Sequence, residues 1–227
     1  MKKEFTVVDL THTLSADIPY WDGSCGFDLA IDTDYKDCTP PDLFRSQKIR
    51  SNAGIGTHMD APAHCFPDGK TIEALAMEDL VTDCVVIRVG EAAENYIIMP
   101  GAVEDFEEEY GRIHANSFVI FSTGWERHWN VSEKFINGHV FPSVDESTAR
   151  LLLERNIAGL GVDTLSADTG ARGFPVHRAI LGAGKYLVEN IANLGKVPAT
   201  GAKSCALPMK ILDGTEAPVR LVALLSA

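Results

Sequence analysis

Residues 54–65 read GIGTHMDAPAHC. His58, Asp60 and His64 fall within seven positions of one another, in a chain that holds only 7 histidines. On an extended strand, residues two apart share a face, so the His58 imidazole and the Asp60 carboxylate can converge on one point. Pro62 brings no backbone N–H and stops the ladder. The turn that follows can return His64 to the same point. Gly54 and Gly56 remove side chains just upstream and let backbone or a ligand approach closely. His, Asp and His are ligand types for zinc, manganese or iron. Taken alone, the spacing also fits a surface loop with two solvated histidines.

Outward from this stretch, strands outnumber helices. FTVVDLTHTL opens on a short apolar strand, and DIPYWDGSCGFDLAIDTDYKD follows as an extended loop and strand. LFRSQKIRSNAGIGTHMDAP reads as a strand running into a glycine-broken edge. DCVVIRVG (83–90) and SFVIFSTGW (117–125) are buried strands. PGAVEDFEEEYGRI (100–113) predicts a helix, with Pro100 at its start and acids where the helix dipole favours them. SVDESTARLLLERN (143–156) predicts another, with Ser143 and Glu146 in a capping-box pattern. IAGLGVDTLSADTG adds a strand and a polar loop. Gly182 and Gly184 split a short helix over Val176–Leu181 from a strand over Lys185–Ile191. The last residues form two β-rich runs around an Asp-Gly turn. No linker, repeat or low-complexity segment interrupts the chain. The expectation is an α/β fold, a single domain over residues 1–227, with a mixed, β-rich sheet core and flanking helices.

The 227 residues suffice for a sizeable core. A formal charge of -12 disfavours nucleic acid and anionic membrane as partners. Lys2 and Lys3 are followed by no apolar run, because Glu4, Asp9 and His12 interrupt it, so no signal peptide is read. No window suits a membrane span, and the cytoplasm is the default location. The 5 cysteines are scattered, odd in number and without a C-x-x-C pair, which fits free thiols in a reducing compartment.

Other chemistry-bearing residues are weaker signals. His177 and Glu189 flank the glycine break and meet only if the chain folds back there. Asp163 and Asp168 follow a predicted strand, where an Asp is more often a turn former. Tyr20 and Trp21 sit in a turn-like context that suits packing more than a pocket wall. His12, His114, His128 and His139 read as surface or hydrogen-bonding residues, with His139 the one that could approach the pocket. There is no G-x-S-x-G elbow, P-loop, dinucleotide fingerprint or H-E-x-x-H.

Several blocks together carry a family likeness: VVDLTHTLSADIPYW, GTHMDAPAHCFPDGKTI, FSTGW, GVDTLSADTG and HRAILGAGKYLVENIANL. In these the chain resembles the metal-dependent hydrolases of the cyclase family, which includes bacterial-type kynurenine formamidase (arylformamidase) and isatin hydrolase. The resemblance implies a swivelling β/β/α-type fold, a homo-oligomer (dimer or tetramer), a small-molecule substrate and a divalent metal ion, zinc or manganese. Residue by residue, it implies His58, Asp60, His177 and Glu189 as metal ligands, His64 as the general acid/base, and Trp21 beside the substrate. One position departs. Two-metal members carry a further histidine four residues before the one matching His58, and here that position is Gly54, which favours a single metal. The implied activity is hydrolysis of a small amide, lactam or ester. The alternatives are a metal-dependent cyclase or dehydratase, and a non-catalytic metal- or small-molecule-binding protein.

Overall fold

The computed structural model describes residues 5–226, so Lys2, Lys3 and Glu4 lie outside it. Its strands are β1 Phe5–Asp9, β2 Asp28–Thr33, β3 Ser46–Arg50, β4 His58–Asp60, β5 Val81–Arg88, β6 Ile97–Ile98, β7 Phe118–Ser122, β8 Ser143–Val144, β9 Gly159–Val162, β10 Tyr186–Glu189, β11 Ala202–Pro208 and β12 Glu216–Ser226. The helices are α1 Met77–Leu80, α2 Gly101–Tyr110, α3 Ser132–Ile136, α4 Glu146–Glu154 and α5 Pro175–Gly182. The main sheet runs β1-β12-β11-β5-β7-β9-β10-β4, and a further β12–β4 pairing closes it into a barrel-like ring. β5, β7, β9 and β10 are parallel neighbours, while β4, β11 and β12 join them antiparallel. The fold is therefore α/β with a β-rich core, as the sequence predicts.

The parallel strands read as apolar runs because both of their faces are covered. Alternate residues divide between two cores. Cys84, Val86, Phe118, Ile120, Tyr186 and Val188 point inward with Met59 and Leu221. Val85, Ile87, Val119, Phe121, Leu160 and Leu187 point outward, under Val103 of α2, Leu152 of α4 and Ile180 of α5. A third cluster, including Ile18, Ile55, Trp125 and Phe135, anchors the N-terminal loops.

The ring is so well filled that β9 has no room for side chains on its inner face. A Cβ at Gly159 would lie 2.4 Å from the Tyr186 ring, and one at Gly161 would lie 2.6 Å from Ile191 and 2.8 Å from Phe118. Overpacking of this kind costs about 1–3 kcal/mol. Gly161→Ala is expected to lower the unfolding free energy by about that much in urea titration. A change within about 0.5 kcal/mol would mean that the interior is looser than its contacts indicate.

Two local expectations are corrected. Ser143 does not cap the 143–156 helix. It lies buried on β8, and the Asp145 side chain takes the Ser147 N–H and caps α4 instead. A carboxylate accepts that bond as well as a hydroxyl does, so the pattern left both residues eligible. The 43–62 stretch is not one strand: β3 pairs with β2 in an exposed hairpin, and β4 belongs to the main sheet. All 5 cysteines are free thiols. No helix among the described residues is long and apolar enough to cross a membrane.

Candidate metal centre

The site lies on the outer face of the ring. β4 is only three residues long, but it pairs on both sides. Glu189 of β10 is in register with His58, and Glu216 of β12 is in register with Asp60. His58 and Asp60 share a face, and Met59 between them turns into the core. α5 covers this face and delivers His177 from its first turn. His58, Asp60, His177 and Glu189, widely separated in sequence, are thereby brought together and buried.

The imidazoles are held in defined orientations. His58 Nδ1 lies 2.9 Å from the Gly56 carbonyl. A carbonyl only accepts, so Nδ1 carries the proton and Nε2 keeps its lone pair for the pocket. His177 Nδ1 lies 2.8 Å from Asp168 Oδ2, which directs its Nε2 inward in the same way. Asp168 also accepts from the Val176 and His177 backbone N–H groups, so it is a helix cap as well as the anchor of the ring. The turn-former reading of Asp168 missed this second role; its only signal was a carboxylate nine residues before a histidine. Asp163 does hold a strand end, accepting from Thr123 and Trp125.

The free ring nitrogens face carboxylate oxygens. His58 Nε2 is 3.5 Å from Asp60 Oδ1 and 3.7 Å from Glu189 Oε2. His177 Nε2 is 3.5 Å from Asp60 Oδ2 and 3.4 Å from Glu189 Oε1. Asp60, His177 and Glu189 each offer a ligand atom within 4.8 Å of the others, as do His58, Asp60 and Glu216. Asp60 Oδ1 is buried without a hydrogen-bond partner. An orphaned carboxylate oxygen among lone-pair donors is costly unless a cation completes it. These nitrogen and oxygen donors suit zinc or manganese, so the residues present fit a divalent ion.

The electrostatics agree. Burial opposes a charged His177, but hydrogen bonding to Asp168, Asp60 and Glu189 outweighs it and lifts the ring well above the usual histidine range. Burial likewise opposes charge on Asp60, yet the neighbouring His177 and His58 hold it below the usual carboxylate range. The cluster binds protons where a cation can bind instead.

His64 sits at the end of the turn after β4, one-third exposed, with Nδ1 3.4 Å from Glu216 Oε2. Glu216 raises its pKa above the ordinary value, against the effect of burial. Glu216 has no sequence signal: it is the first residue of an ordinary strand, and only the closure of the ring brings it here. A cavity of about 290 Å³ opens over these groups, with Tyr20, Trp21, Leu165 and Phe174 among its walls. Trp21 is thus at the pocket, stacked 4.1 Å from the ring of His139, whose Nε2 contacts the Trp21 carbonyl. His12 is elsewhere, stacked on Trp129, and His114 and His128 do not line this cavity.

A closed sheet carries imidazoles and carboxylates beneath an aromatic-walled cavity, a donor set that fits a metal-binding enzyme site. Residues 8–169 match the family model described as "Putative cyclase". An isatin hydrolase from Roseibium aggregatum is 30% identical over 186 residues, which span 74% of this chain and 70% of that protein. A kynurenine formamidase from Polaromonas naphthalenivorans is 26% identical over 177 residues, or 77% of this chain and 72% of that one. Among solved structures, isatin hydrolase A from Ralstonia solanacearum matches with a TM-score of 0.89 at 28% identity, covering 98% of this chain and 92% of that chain. The chain belongs to this cyclase family, and it is a hydrolase.

Proposed function

We propose that this protein hydrolyses the amide bond of a small aromatic substrate, either a cyclic amide or an aryl formamide, at one divalent cation, zinc or manganese. The relatives are named for isatin, a cyclic aryl amide, and for a formamide, and both chemistries break a carbon–nitrogen bond outside a peptide. The observation that carries the reading is the convergence of Asp60, His177 and Glu189 on one point, with the other, buried and unpartnered Asp60 oxygen turned toward His58 beside them. Those three residues, with His58 beside them, would hold the cation. When bound, it supplies Lewis acidity, drawing charge from the substrate carbonyl and lowering the pKa of water toward about 7.

The rest of the reaction falls to side chains. His64 is the general acid/base. It accepts a proton from the attacking water at its free ring nitrogen and returns it to the departing amide nitrogen, which leaves poorly unless protonated. Its Nδ1 is engaged by Glu216, which leaves Nε2 for that transfer. Trp21, braced by His139, offers a rigid aromatic face to the substrate. The same reading takes residues 1–227 as one functional unit in the cytoplasm, acting as a homo-oligomer. The exposed apolar residues Leu29, Ile31 and Ile49 on the β2–β3 hairpin support association between copies.

The test is turnover of cyclic aryl amides and aryl formamides by zinc- or manganese-loaded protein in oxygen-18 water. Hydrolysis places one solvent oxygen in each new acid, and chelation should stop it. Product without solvent oxygen would indicate cyclase or dehydratase chemistry, and binding without turnover would indicate a binding protein. Either result overturns the proposal.

A further inference from the structure

Phe174, the residue before the first turn of α5, holds φ 57° and ψ 49°, the left-handed conformation. That conformation brings a Cβ too close to the following carbonyl oxygen, and a bulky residue is an outlier there. Gly173 just before it is also left-handed, at φ 72°, but a glycine has no Cβ to strain. At 174 the chain keeps an aromatic ring instead. Strain of this kind persists where the surroundings enforce it, and it gathers at functional sites.

The helix does not call for this side chain. The position usually carries Ser, Thr, Asp or Asn, which takes a free N–H of the first turn. Phe174 caps nothing: Pro175 has no N–H, and the Val176 and His177 N–H groups go to Asp168. The core does not call for it either, since 36% of the residue is exposed. Its ring is instead a wall of the cavity over the candidate cation site. The ring centroid lies 5.6 Å from that of His177, edge to face, and 5.6 Å from that of Trp21 at an angle of 53°. Trp21 is fixed in turn by His139 stacked on it and by the edge contact of Phe141. Trp21 and Phe174 thus form the two sides of an aromatic wedge. A flat ring laid against one side meets the edge of the other, a contact worth up to about tenfold beyond its buried area. A saturated ring of the same size is thicker and has no π face to offer.

We propose that Phe174 is a specificity-determining residue, its ring fixed beside Trp21 by a strained left-handed backbone, so that the pocket selects planar aryl substrates over saturated ones carrying the same amide. The proposal rests on this pocket being the hydrolytic site. It assigns the choice among amides to the residue that opens α5, the helix that also delivers His177.

The experiment uses the full chain loaded with zinc or manganese, as wild type, Phe174→Ala and Phe174→Gly. It compares kcat/KM for N-phenylformamide and N-cyclohexylformamide, and the binding of benzoate and cyclohexanecarboxylate. The intrinsic reactivities of the two formamides differ equally for every variant, so the change in their ratio is what is read. Wild type is expected to prefer the phenyl compound in turnover and in binding, and both variants to lose about tenfold of that preference. The two variants lack the ring and differ only by a Cβ, which is strained at this φ. Phe174→Gly is therefore expected to melt a few degrees above Phe174→Ala, the reverse of their order at an ordinary position. An unchanged preference in both variants would overturn the proposal, and if both rates fell together Phe174 would be a support for α5. Phe174→Ala melting at or above Phe174→Gly would remove the strain on which the proposal stands and overturn it. A phenyl preference in binding that the variants lose, without turnover of either formamide or of a cyclic aryl amide, would overturn the hydrolytic reading and leave the selectivity of the ring standing.

Discussion

Asp60→Asn is expected to lose cation binding and to slow hydrolysis about a thousandfold, which corresponds to roughly 4 kcal/mol of transition-state stabilisation. Asp60 spans both histidines, with one oxygen toward His58 and the other toward His177, and Glu189 does the same from β10. Asparagine keeps the shape but removes the charge and replaces one oxygen with an N–H donor pair, which repels a cation. Glu189 and Glu216 already occupy their own places on β10 and β12, and Met59 faces the core, so no further carboxylate takes the place of Asp60. Metal content after dialysis is the primary measurement and turnover the second. Full metal retention with near-normal turnover would remove Asp60 from the centre and with it the proposed mechanism.

His64→Ala is the complementary case. Metal content should be unchanged, while turnover falls by about 10²–10⁴, the usual worth of a positioned general acid/base. The reason is placement: His64 stands at the pocket edge with its ring about 6.1 Å from the His177 ring, and its Nδ1 is engaged by Glu216. Added imidazole should restore part of the rate in the variant and none in wild type. The acid limb of the wild-type pH–rate profile should vanish with the side chain. If His64→Ala loses the metal instead, the residue is a ligand and the proton must move through another group.

The structure explains why some of this was legible in the chain. His58 and Asp60 are two apart on a strand, and the two-residue period alone puts them on one face. The inward and outward alternation of β5 and β7 follows from their apolar runs, and the glycine break marked the end of α5. The resemblance supplied His177 and Glu189 as partners, which spacing could not, since a helix and a turn of unspecified geometry lie between them. Asp168 was legible as a polar residue after a strand, but not as the group that orients His177. That role depends on where α5 begins relative to β9.

By itself the sequence pointed to the buried strands β5, β7 and β9, to the face of β4 shared by His58 and Asp60, and to histidine and carboxylate as candidate donors. These are local matters, decided by periodicity, proline and glycine within a few residues. Only the tertiary structure decided that Glu216 opposes Asp60, that Gly54 must be empty to admit it, and that Trp21 is braced by His139. Each of these depends on the pairing of β12 with β4 or on loops packed across the ring. Such contacts join segments far apart in the chain, and they exist only once the sheet has closed.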